Sequence, residues 1–209
     1  MPRKKKSTRA ERLTLAAQRL FHRQGIGAVS LRDVARAARV PAGGVFYHFP
    51  TKGALVLAAA EARREAVTAL LADLERRYPD PGERLVALCA ALGEAAGAVS
   101  RHGCPMTRMI AELGAARGPE ADAREAMRAT LDELTVFVVR LVRESGRSPG
   151  AARRAGERFL ADWQGAIALS LARQDREVLL AALARLSEEL LSPRARRARK
   201  NRPETLPGG

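Results

Sequence analysis

Residues 31–52, LRDVARAARVPAGGVFYHFPTK, constrain the fold more than any other stretch of the chain. Leu31, Val34, Ala35 and Ala38 recur at i, i+3, i+4 and i+7, which is one apolar helical face. Arg32, Arg36 and Arg39 fall off that face. Pro41 restarts the chain at a position suited to the first turn of a second short helix over 42–48. Two helices this short cannot bury a core alone, so they belong to a larger helical domain. A short helix with small residues at its start and aromatic and basic groups at its end can lie in a DNA major groove.

Charge points the same way. The chain has 209 residues and a net charge of +14, distributed as +10 over 1–55, −1 over 56–193 and +5 over 194–209. A basic end on a neutral body is the electrostatic footprint of a DNA-binding head on a separate core. Arg outnumbers Lys 32 to 5, so genomic composition is the competing explanation. Such bias would spread Arg evenly and would not strip one end of acidic partners. Abundant Ala, Leu, Arg and Glu with few aromatics favour an all-α fold. Cys89 and Cys104 cannot build a disulfide framework. With no secretory leader and no apolar run of membrane length, the expectation is a cytoplasmic, reduced protein that does not enter a membrane.

Periodicity and punctuation predict nine helices, over 10–24, 31–38, 42–48, 52–78, 83–100, 105–113, 120–145, 151–173 and 176–191. Gly25 stops the first. Ser30 with Asp33 forms a variant capping box for the second. Phe49-Pro50 breaks the third and Thr51 caps the fourth. Pro79-Asp80-Pro81-Gly82 is a turn, and Pro193 ends the last helix. The expected organisation is a disordered basic arm over 1–8, a helix-turn-helix head over 9–52, a regulatory and dimerisation domain over 53–192, and a disordered basic tail over 193–209.

Residues 8–57 closely resemble the DNA-binding head of the tetracycline-repressor (TetR) family of bacterial transcriptional regulators. The resemblance is carried by Ala16-Ala17, Leu20-Phe21, Gly25, Ser30 to Ala35, Val40, Gly43, Val45, Tyr47-His48-Phe49 and Lys52 at fixed spacing. It covers about a quarter of the chain. Gly103-Cys104-Pro105, with Trp163 to Ala166, Arg173 and Asp175, resembles a subgroup carrying a Gly-Cys motif in its regulatory domain.

The resemblance implies roles. The helix over 42–48 corresponds to the recognition helix, with Gly43 and Phe46 where members contact base edges and Pro41, Ala42 and Gly44 flanking them. Tyr47, His48 and Lys52 match phosphate-binding positions, and Thr51 belongs to the same surface. A phenol, an imidazole and an ammonium all suit phosphate oxygens, which fix register and carry no sequence information. Without the DNA, Tyr47 reads as a surface aromatic and His48 as a lid on the next helix. Two departures stand out. Arg39 occupies the turn position usually held by Gly, where a left-handed conformation costs on the order of 1–2 kcal/mol. Phe46 replaces a common Tyr and offers only apolar contact, for example with a thymine methyl. Base readout from 41–46 is therefore sparse, leaving Arg32, Arg39, the arm and DNA shape to supply the rest.

In the regulatory half, Cys104 follows Gly103 at an expected helix N-terminus. It reads either as a sensor thiol or pocket-lining group, or as a plain buried thiol. Trp163, Phe159 and Phe137, with Met109 and Cys104, are the candidate lining of an apolar effector cavity. Plain core is the competing reading for the aromatics, and solvated charge is the reading for Arg108 and His102. Cys89 reads as core. In the family, helices matching 151–173 and 176–191 form a four-helix dimer interface. Here they carry Gly165, Ala166, Ala168, Leu169, Leu179, Leu183 and Leu186, whose competing reading is intramolecular packing.

The functional expectation is a homodimeric repressor bound to a palindromic double-stranded DNA operator and released by a small-molecule effector. The alternatives are a non-specific nucleic-acid-binding architectural protein and a repressor that senses electrophiles or oxidants through Cys104. Neither a cofactor nor a metal is expected. The chain has no P-loop, GxSxG or Cys/His/Asn arrangement, so an enzyme is not expected.

Overall fold

The computed structural model describes residues 8–190, and all but one of the helices among them begin where the sequence supplies a cap or a proline. Among these residues there are ten α-helices and no strand: α1 (Arg9–Gln24), α2 (Leu31–Ala38), α3 (Ala42–His48), α4 (Lys52–Arg77), α5 (Pro81–Glu94), α6 (Ala96–His102), α7 (Pro105–Leu113), α8 (Pro119–Glu144), α9 (Pro149–Arg173) and α10 (Arg176–Glu189). The fold is all-α, as the composition predicts. Thr8, assigned to the arm, is the N-cap of α1 and forms a capping box with Glu11. The rest of the expected arm and the basic tail lie outside the described residues.

The tenth helix arises because the expected helix over 83–100 is two. The chain turns at Ala95 (φ −83°, ψ −4°), where Ala98 N–H donates to the Ala95 carbonyl in a tighter turn. Gly93 and Gly97 flank the break, and each lowers helix propensity by about 1 kcal/mol relative to Ala. Pro41 is another small difference. It is the N-cap of α3 rather than a member of its first turn, and its carbonyl accepts from Gly44 N–H at 2.8 Å.

A single apolar cluster runs from Leu13 and Phe21 in α1 through Leu55 in α4 to Phe137 in α8 and Leu186 in α10. Helices α1–α3 pack together at one end, and α4 lies against both α1 and α8. At 26 residues α4 is about 39 Å long, enough to join the two ends of the molecule. Its inner face is Leu55, Val56, Ala59, Ala60, Leu71 and Leu74. Ala66, placed on that face by periodicity, is exposed, because over 26 residues the buried stripe drifts around a straight helix. Helix α9 closes onto α8 at Gly156. An added Cβ there would stand 2.5 Å from Val139 Cγ2 and 3.0 Å from the Thr135 carbonyl oxygen. The Arg84 guanidinium, only 9% exposed, ties the start of α5 to Glu144 at the end of α8 and also donates to the Pro79 carbonyl.

Helix α10 packs on α9, α5 and α6. Four residues expected at a dimer interface, Ala166, Leu179, Leu183 and Leu186, are buried within the single chain. Gly165, Ala168 and Leu169 lie on the outer face of α9, with Leu169 52% exposed.

Candidate nucleic-acid interface

The turn between α2 and α3 sets the geometry of the head. Ser30 Oγ accepts from Asp33 N–H at 3.2 Å, while Asp33 Oδ2 accepts from Ser30 N–H at 3.0 Å. The Ser30 hydroxyl also donates to Asp33, and these hydrogen bonds hold the Asp33 carboxyl below its ordinary value. At the other end Val40 N–H donates to the Ala35 carbonyl and Arg39 N–H to the Arg36 carbonyl, a Schellman closure. It requires a left-handed residue, and Arg39 adopts φ 54°, ψ 46° without being glycine. The resulting turn aims the Arg39 side chain at solvent.

Helix α3 then crosses the surface with one face inward. Val45 is fully buried and Phe49 packs partly against the core. The two glycines play different parts. A Cβ on Gly43 would meet nothing within 4 Å, so that backbone lies open to an approaching groove. A Cβ on Gly44 would stand 2.9 Å from Val40 Cγ1, so Gly44 allows α3 to close against the turn. Phe46 and Tyr47 project outward at 49% and 83% exposure. Pro41 is exposed as well. Ala42 is the first residue of α3.

Two hollows flank α3. One is lined by Arg9, Gly43, Gly44, Tyr47 and His48. The other is lined by residues 27–32, with Phe46 and Lys52. In the first, His48 stands edge-on to the Tyr47 ring, centroids 5.1 Å apart. In the second, Lys52 Nζ donates to the Gly27 carbonyl at 3.2 Å, which orients its remaining N–H groups near the start of α2 and exposed Arg32. Thr51 Oγ1 accepts from Ala54 N–H and fixes the start of α4 beside Lys52. The structure thus divides the expected residues into Gly43, Gly44, Tyr47 and His48 on one flank and Arg32, Phe46 and Lys52 on the other. Arg9 joins the first flank. Sequence reasoning missed it because an isolated Arg at a helix start has no periodicity to mark it.

This head matches known proteins. Residues 13–59 match the bacterial regulatory proteins of the tetR family. The head of this chain is thus similar to the head of the TetR family. The HTH-type transcriptional regulator LmrA of Bacillus subtilis is 28% identical over 172 residues, covering 81% of this chain and 90% of LmrA. The TetR transcriptional regulator from Legionella pneumophila superposes with a TM-score of 0.75 at 15% identity, covering 88% of this chain and 97% of that one. A regulatory protein TetR from Rhodobacter sphaeroides gives 0.72 at 24% identity, covering 87% and 98%. These likenesses extend the fold of TetR-family regulators beyond the head to most of the chain.

The regulatory-half candidates are all buried. Cys104 is 3% exposed, Met109 9%, Phe137 1%, Phe159 1% and Trp163 5%. Cys104 is the N-cap of α7, and its Sγ accepts from Gln164 Nε2 at 3.7 Å. Burial pushes the other thiol, Cys89, up to about 11. Met109 lines a cavity at the junction of the head and the rest, shared with Phe21, His22, Arg63, Arg108 and Glu112 among others. Among the described residues no group of three His, Cys, Asp or Glu side chains is placed to hold a metal, and no helix is long and apolar enough to cross a membrane.

At that junction a polar clasp holds the head that sequence reasoning did not foresee. His22 Nε2–H donates to the Gly103 carbonyl at 2.7 Å, and Arg108 Nη1 donates to the His22 carbonyl at 3.1 Å. Arg108 Nε is held by Glu112 at 2.8 Å, whose other oxygen accepts from Ile26 N–H. Gly25 (φ 87°) lets α7 come this close, because a Cβ there would lie 2.9 Å from Glu112 Oε1. Arg108 is thus an internal tie, not the solvated charge expected of it.

Proposed function

We propose that this chain is a TetR-family regulator, a cytoplasmic homodimeric repressor that docks α3 of each subunit in successive major grooves of a palindromic operator and is released by a small-molecule effector. The observation that carries this reading is the outer face of α3. Open Gly43 and exposed Phe46 and Tyr47 stand between two hollows supplied with Arg9 and His48 on one side and Arg32 and Lys52 on the other. That is the layout of a base-contacting helix between two phosphate clamps.

A dimer is supported by uncharged exposed residues on α9, Ala161, Gly165, Ala168 and Leu169, and on α10, Ala181 and Ala184. Two copies would set recognition helices about 34–36 Å apart, or a multiple of that. In this reading 9–52 is the head, 53–192 holds the dimer contacts, and the buried set around Cys104, Met109, Phe137, Phe159 and Trp163 forms the interior that an effector would have to open.

The test is fluorescence anisotropy of the purified chain on duplexes from upstream of its own and adjacent genes, against random duplex, over a salt series. A preference of at least about a thousandfold is expected. Equal affinity for every duplex overturns the repressor and leaves a non-specific nucleic-acid coat. Release by electrophiles that is lost in Cys104→Ser would assign the effector role to the thiol.

A further inference from the structure

The junction cavity contains one charge that the protein leaves unused. Its polar wall is otherwise satisfied: Gln18 Nε2 donates to the Ala59 carbonyl, His22 to Gly103, and Arg108 is held by Glu112. Arg63, half-buried on α4, has no hydrogen bond and no ion pair among the described residues. Arginine does not lose its proton under such pressure, so the site retains a full positive charge. Burial lowers its pKa nonetheless, which reports how poorly water compensates that charge. The rest of the wall is apolar: Phe21, Ile26, Ala59, Pro105, Met109 and Met127. A guanidinium without an ion pair, beside apolar side chains and polar groups already engaged with one another, is complementary to a carboxylate carried on a short hydrocarbon body.

We propose that this cavity is a binding site for a small organic monoanion, an aliphatic carboxylate, whose charge pairs with Arg63 and whose body occupies the space between α1, α4 and α7. The assignment deepens the effector reading above and rests on it for its regulatory consequence. The closed cavity has about 20 Å³ of room, enough for one water-sized group. One carboxylate oxygen fits; the rest of the carboxylate and its hydrocarbon body enter only if the flexible Met109 side chain moves and Glu112 gives way. Glu112 is the residue that receives Ile26 N–H and fixes Arg108 on the end of α1. Filling the cavity therefore loosens the clasp that holds the head to α7, and the ligand must bind more weakly when DNA holds the head in place.

The experiment is isothermal titration of the full chain with acetate, butanoate and hexanoate at constant ionic strength, with hexanamide as the neutral match. Expected are saturable hexanoate binding at least tenfold tighter than hexanamide, a tenfold or greater loss in Arg63→Gln, and partial retention in Arg63→Lys. Equal affinity for acid and amide, unchanged binding in Arg63→Gln, or no saturable binding overturns the site. Should Arg63→Gln fail to fold, hydrogen exchange on the wild type decides. Faster exchange of the Ile26 amide with hexanoate supports the site, and unchanged exchange overturns it. A DNA arm separates the two readings. Saturable binding without any effect on duplex affinity keeps the site and removes its effector role. A chain with no duplex preference fails as a repressor while the titration still decides the site.

Discussion

The Nε2–H of His22 donates to the Gly103 carbonyl oxygen at 2.7 Å, joining the last turn of α1 to the turn that leads into α7. Burial is the largest influence on this ring and lowers its pKa below 6.5; the hydrogen bond to Gly103 opposes it, and Arg63, His102 and Arg108 add to the lowering. His102, whose ring lies 5.6 Å from His22, is lowered as well, again first by desolvation and then by Arg101, Arg23 and Arg108.

The pH dependence follows with a definite sign. A histidine whose folded pKa lies below its unfolded value binds a proton more readily in the unfolded chain. Its contribution is complete above about 6.5 and is lost as pH falls through the folded value. The melting temperature should therefore fall on acidification from 7.5 to 5, and the fall should be shallower in His22→Gln, which keeps an N–H donor without the titration. Parallel curves for the two proteins would refute a role for His22.

Gly43 and Gly44 should separate binding from folding when substituted. Gly44→Ala places a Cβ against Val40 Cγ1 at 2.9 Å, and overpacking of this kind costs about 1–3 kcal/mol. Gly43→Ala meets nothing within 4 Å and should stabilise α3 by roughly 0.5–1 kcal/mol. Its methyl would face the groove, so duplex affinity should drop even as the melting temperature rises. Thermal melts and anisotropy on both variants check the pair.

Arg39 holds a left-handed conformation that costs on the order of 1 kcal/mol for a non-glycine residue. Arg39→Gly should raise the melting temperature by roughly 2–4 °C for a chain of this size. If Arg39 also contacts DNA, the same variant should lose affinity and a unit of salt dependence. A variant that is more stable and binds unchanged would assign Arg39 no part in recognition.

Lys52 and Tyr47 stand in different hollows and should behave differently. Lys52→Ala removes a cation, so it should weaken binding to all duplexes alike and reduce the slope of log K against log salt by about 1. Tyr47→Phe removes one hydroxyl donor and should leave that slope unchanged while lowering affinity severalfold. Identical slopes in wild type and Lys52→Ala would exclude a phosphate contact.

Local chemistry was legible in the sequence. The Ser30–Asp33 capping box, the Thr51 cap, the α2–α3 turn and the inner faces of α1 and α9 follow from side chains acting on backbone a few residues away. Even the left-handed Arg39 was marked by the glycine it replaces. Less local features were not. The break at Ala95, the exposure of Ala66 and the inward burial of Leu179, Leu183 and Leu186 depend on which neighbour each helix meets.

The sequence alone determined a basic three-helix head with a recognition-type helix on a helical body, because capping, periodicity and charge are short-range properties of the chain. Only the tertiary structure decided that Gly44 serves packing while Gly43 stays open, that Arg9 joins Tyr47 and His48, and that Arg108 and Glu112 bind the head to α7 while Arg63 stands unpaired beside them. Glu112 and Ile26 are 86 residues apart, and no periodicity encodes a hydrogen bond between them. Their contact exists because α1, α4 and α7 bury apolar faces together and bring polar edges into reach.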